Sequence, residues 1–176
     1  LSSAASDVYK RQAGRTYSKA AAEAIKGALA ETKVTYSFNE IEGGSRGVFL
    51  AAIALNSRLQ KTKYIIDVKN DSYIVYAVLP INADASDKRK MLNLAVFICR
   101  LNHRLAAGNF ELDMDDGQVR FKYYVNCSDS VPTRGILTES LVLPKVMLEH
   151  YGDGLLNVII NGADVKEEAE RCKSTF

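Results

Sequence analysis

Phe110-Glu-Leu-Asp-Met-Asp-Asp-Gly-Gln-Val-Arg-Phe-Lys-Tyr-Tyr-Val125 alternates apolar and polar residues on both sides of Asp116-Gly117, a dipeptide suited to a tight type I′ turn. A two-residue turn there predicts a hairpin in which Asp115 faces Gln118, Met114 faces Val119, Asp113 faces Arg120, Leu112 faces Phe121, Glu111 faces Lys122 and Phe110 faces Tyr123. The large apolar pairs then share one face and the opposite-charge pairs the other, an arrangement that a one-residue slip would scramble. Immediately upstream, residues 86–105 read as a helix. At about 100° per residue, Met91, Leu94, Ala95, Ile98, Leu101 and Leu105 fall on one side, and Arg89, Asn93, Arg100, His103 and Arg104 on the other. Asp84 or Ser86 is the expected cap at its start and Gly108 its stop.

Towards the N-terminus, Tyr17 to Glu31 places Ala21, Ile25, Ala28 and Leu29 at helical spacing behind a Ser18 cap. Four strands are expected next, at Val34–Phe38, Val48–Leu55, Lys63–Lys69 and Ser72–Leu79. A two-residue turn at Asn70-Asp71 pairs Val68 with Tyr73, Ile66 with Val75 and Ile65 with Tyr76. Pro80 is expected to end the fourth strand, because proline has no N–H for a ladder. Beyond Asn126 the chain runs through turn-forming residues. Pro144 fits the first position of a helix with Val146, Met147 and Tyr151 inward and Gly152 as its stop, although a kinked helix from Thr138 is an alternative. A second helix follows from Asp153 to Ile160, and a capping-box-like Asp164-Val-Lys-Glu167 opens a third. The sum is an α+β fold, an antiparallel sheet of about six strands with helices packed on it, in the order α-β-β-β-β-α-β-β-α-α(-α).

A chain of 176 residues, 47% hydrophobic and 25% charged, has ordinary globular composition and supports one core. Its net charge of +2 does not by itself point to nucleic acid or an anionic membrane. The longest apolar run, Val48 to Leu55, is far shorter than the roughly 20 residues that span a bilayer. Three cysteines, Cys99, Cys127 and Cys172, lack paired spacing and read as reduced thiols in a cytoplasmic protein. Asp7-Val-Tyr-Lys-Arg-Gln12 resembles one reading frame of the transposase adapter used in sequencing-library preparation, so residues 1–12 are read as a disordered artefact and residues 13–176 as one domain.

Catalytic and ligand-binding chemistry is hard to find. His103 and His150 have no second metal-ligating residue at a local spacing, Cys99 reads as a small hydrophobe, and no nucleophile has an evident partner. Gly43-Gly44-Ser-Arg-Gly47 lacks the phosphate-loop pattern and joins two strands. Glu111, Asp113, Asp115 and Asp116 read as a solvated strand face and turn rather than a calcium or carboxylate site. Asn102, polar beside an apolar stripe, is expected to bond backbone at the helix end or in the adjacent hairpin. The basic side of helix 86–105 offers an alternative role, nucleic-acid binding through Arg89, Arg100 and Arg104. The leading hint is the second to fourth strands, which are apolar on both faces. Phe49, Ile53, Ile65 and Tyr76 are the candidate partner-binding residues.

Leu101-Asn102, Gly108-x-Phe110-Glu-Leu-Asp113, Asp116-Gly117-x-Val119-Arg120-Phe121-Lys122-Tyr123 and Leu148-Glu-x-Tyr151 together resemble the YbjN-like family, described as bacterial sensory transduction regulators with a fold similar to type III secretion chaperones. The resemblance covers Lys33 to Arg171. It implies an α+β domain without an established cofactor or catalytic motif, and a role in protein interaction. The expectation is therefore a non-enzymatic bacterial domain. It would bind a protein partner or itself, with no cofactor, metal, membrane or small-molecule substrate.

Overall fold

Asn70 and Asp71 turn the chain back on itself, closed by a bond from the Lys69 N–H to the Ser72 carbonyl at 2.8 Å, and the strands on either side pair as expected, Val68 with Tyr73, Ile66 with Val75 and Ile65 with Tyr76. Around this hairpin the computed structural model, which describes residues 16–175, builds one six-stranded sheet. Residues 1–12, read above as an artefact, lie outside the described residues.

The elements are α1 (Lys19–Glu31), β1 (Tyr36–Ile41), β2 (Arg46–Ala54), β3 (Lys61–Val68), β4 (Ser72–Asn82), α2 (Lys88–Asn102), β5 (Asn109–Leu112), β6 (Gln118–Asn126), α3 (Arg134–Asn161) and α4 (Val165–Arg171). The sheet order is β1-β2-β3-β4-β6-β5, with every neighbouring pair antiparallel. The architecture is thus an α+β fold with an open antiparallel sheet. One face carries the core. Phe49, Tyr64, Ile66, Tyr73, Val75 and Phe121 meet Ile25, Leu29, Leu94, Phe97, Leu101 and Leu148 from the helices. α3 is pinned to this face by the Tyr64 hydroxyl on the Leu141 carbonyl, 2.9 Å, and by Tyr73 against the Ser140 hydroxyl, 2.7 Å.

Several expectations need correction. The β5–β6 hairpin is shifted by two residues, pairing Phe110 with Phe121, Glu111 with Arg120 and Leu112 with Val119. Its loop has four residues, not two. The Asp113 N–H bonds the Gln118 carbonyl at 2.9 Å, the Gly117 N–H bonds the Asp113 carbonyl at 3.0 Å, and Gly117 sits at φ 74°. Asp113 is drawn into the loop because its carboxylate accepts the Asp115 N–H, 2.9 Å. An even shift leaves the strand side chains on their expected faces, while Met114, expected opposite Val119, falls in the loop and is exposed. β4 continues past Pro80 to Asn82, since Pro80 falls where the β4–β6 register is broken between Val78 and Asn82 and no ladder bond is asked of it. The cap of α2 is Asp87, which accepts the Lys90 N–H at 3.0 Å, while Asp84 turns back to Ser86. The helix ends at Asn102, and the chain turns before reaching Gly108 at φ 71°.

The two helices expected at 144–151 and 153–160 are one, α3, which begins behind Thr133 and stops at left-handed Gly162, φ 63°. Gly152 and Gly154 lie inside it. A Cβ on Gly152 would sit 2.4 Å from Leu59 Cδ1, and one on Gly154 would sit 2.8 Å from Cys172 Sγ. These glycines admit close neighbours rather than end a helix. The β2–β3 loop is held there from both sides, by the Asn56 N–H on Glu149 at 2.7 Å and the Arg58 N–H on Asp153 at 3.3 Å.

Candidate protein-binding face

The registers place side chains in rows across the face of the sheet that the helices leave bare. One row runs Ser37, Leu50, Ile65, Tyr76, Lys122 and Asn109; beside it lie Asn39, Val48, Asp67, Ile74 and Tyr124 on one side, and Ala52, Lys63, Val78, Arg120 and Glu111 on the other. Leu50, Ile65, Ile74 and Tyr76 are half-buried, none belongs to the core cluster, and Tyr124 is 55% exposed. Alternation produces this surface directly: Ile66 and Tyr64 point into the core, so Ile65 points away from it.

Charge frames the apolar rows. The Arg120 guanidinium lies over the Tyr76 ring, 4.2 Å from its centroid, and its Nε donates to Glu111 at 2.8 Å. Lys122 donates to the other oxygen of Glu111 at 2.9 Å. Partial burial pushes the Glu111 carboxyl up, but the bonds from Lys122 and Arg120 outweigh it and hold the group below the usual carboxylate range. Nearer the β1–β2 turn, Arg46 grips Asp67 with two bonds of 2.9 and 2.8 Å and also reaches Glu42 at 2.8 Å. Lys61 and Lys63 are exposed and have no ion-pair partner among the described residues.

Of the candidate partner-binding residues, Ile65 and Tyr76 stand directly opposite each other on this face. Phe49 and Ile53 do not, and that expectation is corrected. Phe49 faces Ile66 and is fully buried, and Ile53 faces Thr62 on the helix-covered side. The β2–β3 connection is a longer loop between Ala54 and Lys61 and not a two-residue turn, so nothing local in the sequence reveals that Leu50, and not Phe49, shares a row with Ile65. Tyr124, opposite Ile74, also belongs to this face. Consecutive Tyr123 and Tyr124 in a strand must point to opposite faces, which was the available signal.

Arg89 and Arg100 of the alternative basic surface are exposed, but Arg104 bonds the Ala169 carbonyl at 3.2 Å and Glu170 at 3.5 Å, tying α2 to α4. Leu92 and Val96, 63% and 42% exposed, interrupt what remains of the stripe. Glu111 serves the ladder above, Asp113 caps the loop, and Asp116 accepts the Gln118 N–H at 2.8 Å. Gly43 and Gly44 lie in the connection from β1 to β2, and Gly47 is already within β2, opposite Glu40. Of the two backbone targets expected for Asn102, the hairpin is the one it takes: its Nδ2 donates to the Phe110 carbonyl at 2.9 Å and its Oδ1 accepts the Phe110 N–H at 2.8 Å.

The histidines serve structure. His103 follows the last turn of α2, and His150 Nε2 lies 2.9 Å from the Cys172 carbonyl with its ring against Tyr151. Burial holds the His150 pKa below its ordinary value despite that carbonyl. Cys99 is exposed rather than packed as a small hydrophobe, because it falls on the outer side of α2; Cys127 is half-buried and Cys172 buried, and burial raises the pKa of both. Among the described residues, no group of three or more His, Cys, Asp or Glu side chains is disposed to hold a metal ion. A concavity of about 460 Å³ lies between the end of α2, α3 and Cys172, lined by Leu105, Leu143, Met147 and Tyr151. Burial raises the Tyr151 pKa.

No family model, curated protein or solved structure matches the chain. Among the described residues, no helix is long and apolar enough to cross a membrane.

Proposed function

We propose that this chain is a non-enzymatic bacterial protein-interaction or regulatory domain, chaperone-like and cytoplasmic, that binds a protein partner or a second copy of itself through the open face of its sheet. The observation that carries this reading is the Leu50–Ile65–Tyr76 row, apolar and outside the core, while Tyr64 and Tyr73 anchor α3 to the other side. The resemblance to the YbjN-like family supports the same class. The test is Ile65→Asp with Tyr76→Asp. Wild-type protein is expected to dimerise or retain a protein in pull-down, and the variant to lose that association while its circular dichroism stays unchanged. A strictly monomeric wild type that retains nothing overturns the proposal.

The exposed Arg89 and Arg100 favour a second reading, nucleic-acid binding along α2. It requires salt-dependent retention of DNA or RNA that Arg89→Glu with Arg100→Glu removes.

A further inference from the structure

The charges around the apolar rows narrow the kind of partner, and the step rests on the sheet-face reading above. Five cations belong to this face, Arg46, Lys61, Lys63, Arg120 and Lys122, against the carboxylates Asp67 and Glu111. Both carboxylates are already committed, Asp67 to Arg46 and Glu111 to Arg120 and Lys122. Lys61 and Lys63 remain, two residues apart on β3 and therefore about 7 Å from one another along the strand. Lys63 is in turn two residues from Ile65 on the same face.

A second copy of the chain is a poor occupant. An isologous contact sets the face against itself, and both carboxylates on the paired strands of this face, Asp67 and Glu111, are already ion-paired and cannot serve a second copy's lysines. We infer that the open sheet face receives an acidic amphipathic segment of another protein, its apolar side chains on the Leu50–Ile65–Tyr76 row and its carboxylates on Lys61 and Lys63. Each lysine then gains the ion-pair partner it lacks among the described residues. Apolar contact provides the affinity, and the lysines select against basic segments.

Selection from a phage-displayed library of random peptides about 16 residues long, on the immobilised full chain with depletion on the Ile65→Asp variant, tests this. Recovered peptides are expected to combine Asp or Glu with large apolar residues. One such peptide, followed by fluorescence anisotropy, should bind at least about tenfold more weakly to Lys61→Glu with Lys63→Glu, and more weakly in high salt. Neutral or basic peptides whose binding ignores both lysines overturn the inference and leave the sheet-face reading standing. A wild-type dimer broken by Ile65→Asp also overturns it, in favour of a second copy. No peptide dependent on Ile65, together with a monomer that retains nothing, overturns both. Circular dichroism of each variant separates lost binding from lost folding.

Discussion

Asn102 closes an edge that the sheet would otherwise leave open. β5 is the last strand in the order, and the Phe110 N–H and carbonyl are both taken by the Asn102 amide. No other residue type of that size offers a donor and an acceptor side by side. Asn102→Leu is expected to leave two backbone groups unpaired and to lower stability by about 1 to 3 kcal/mol in urea denaturation, and Asn102→Asp to restore little, because its carboxylate opposes the Phe110 carbonyl. A loss below a few tenths of a kcal/mol for both would refute this role. His150 gives a second residue-level expectation. Burial favours its neutral ring, so the folded protein binds the proton more weakly than the unfolded chain. Stability is therefore complete above the ordinary value of 6.5 and falls as pH drops from there towards the lower folded-state value. Thermal midpoints measured across that window should decline for the wild type and decline less for His150→Gln. Equal slopes would count against it.

At the level of elements, sequence legibility followed how locally each feature is determined. The β3–β4 register was readable because Asn70-Asp71 is a two-residue turn whose closure fixes every later pair. In the β5–β6 hairpin the same logic misplaced the register by two, since Asp113 caps a four-residue loop, yet the faces were right because side-chain alternation has a period of two. Local signals divide α3 in two because proline and glycine mark stops in the sequence, whereas here tertiary contact decides. Gly152→Ala makes that contest measurable. Alanine favours a helix by about 1 kcal/mol, but its methyl would lie 2.4 Å from Leu59, and crowding of that kind costs about 1 to 3 kcal/mol. Net destabilisation is expected in the wild type, and a neutral or stabilising effect in a Leu59→Ala background. The same sign in both backgrounds would show that the Leu59 contact is not the reason for the glycine.

On the scale of the whole molecule, the sheet is two-sided in composition and one-sided in packing. Its doubly apolar middle strands are legible from residue types alone, but assigning Phe49 and Ile53 to the bare face fails because the side of β2 depends on a register set across the longer loop between Ala54 and Lys61. What the candidate face shares with the core is β-branched and aromatic bulk; what separates the two is only the parity of position. A further consequence concerns reactivity with thiol reagents. The three cysteines are graded from exposed Cys99 through half-buried Cys127 to Cys172, 4% exposed at the end of α4 with its carbonyl beside His150. Native protein treated with a disulfide reagent is expected to react in a fast phase from Cys99, a slower one from Cys127 and the slowest from Cys172. His150→Gln should quicken the last phase without changing the first. Cys172 would then act as a clock for the detachment of α4 from the rest of the chain, reporting openings too brief and too local for the spectrum of the whole protein to register.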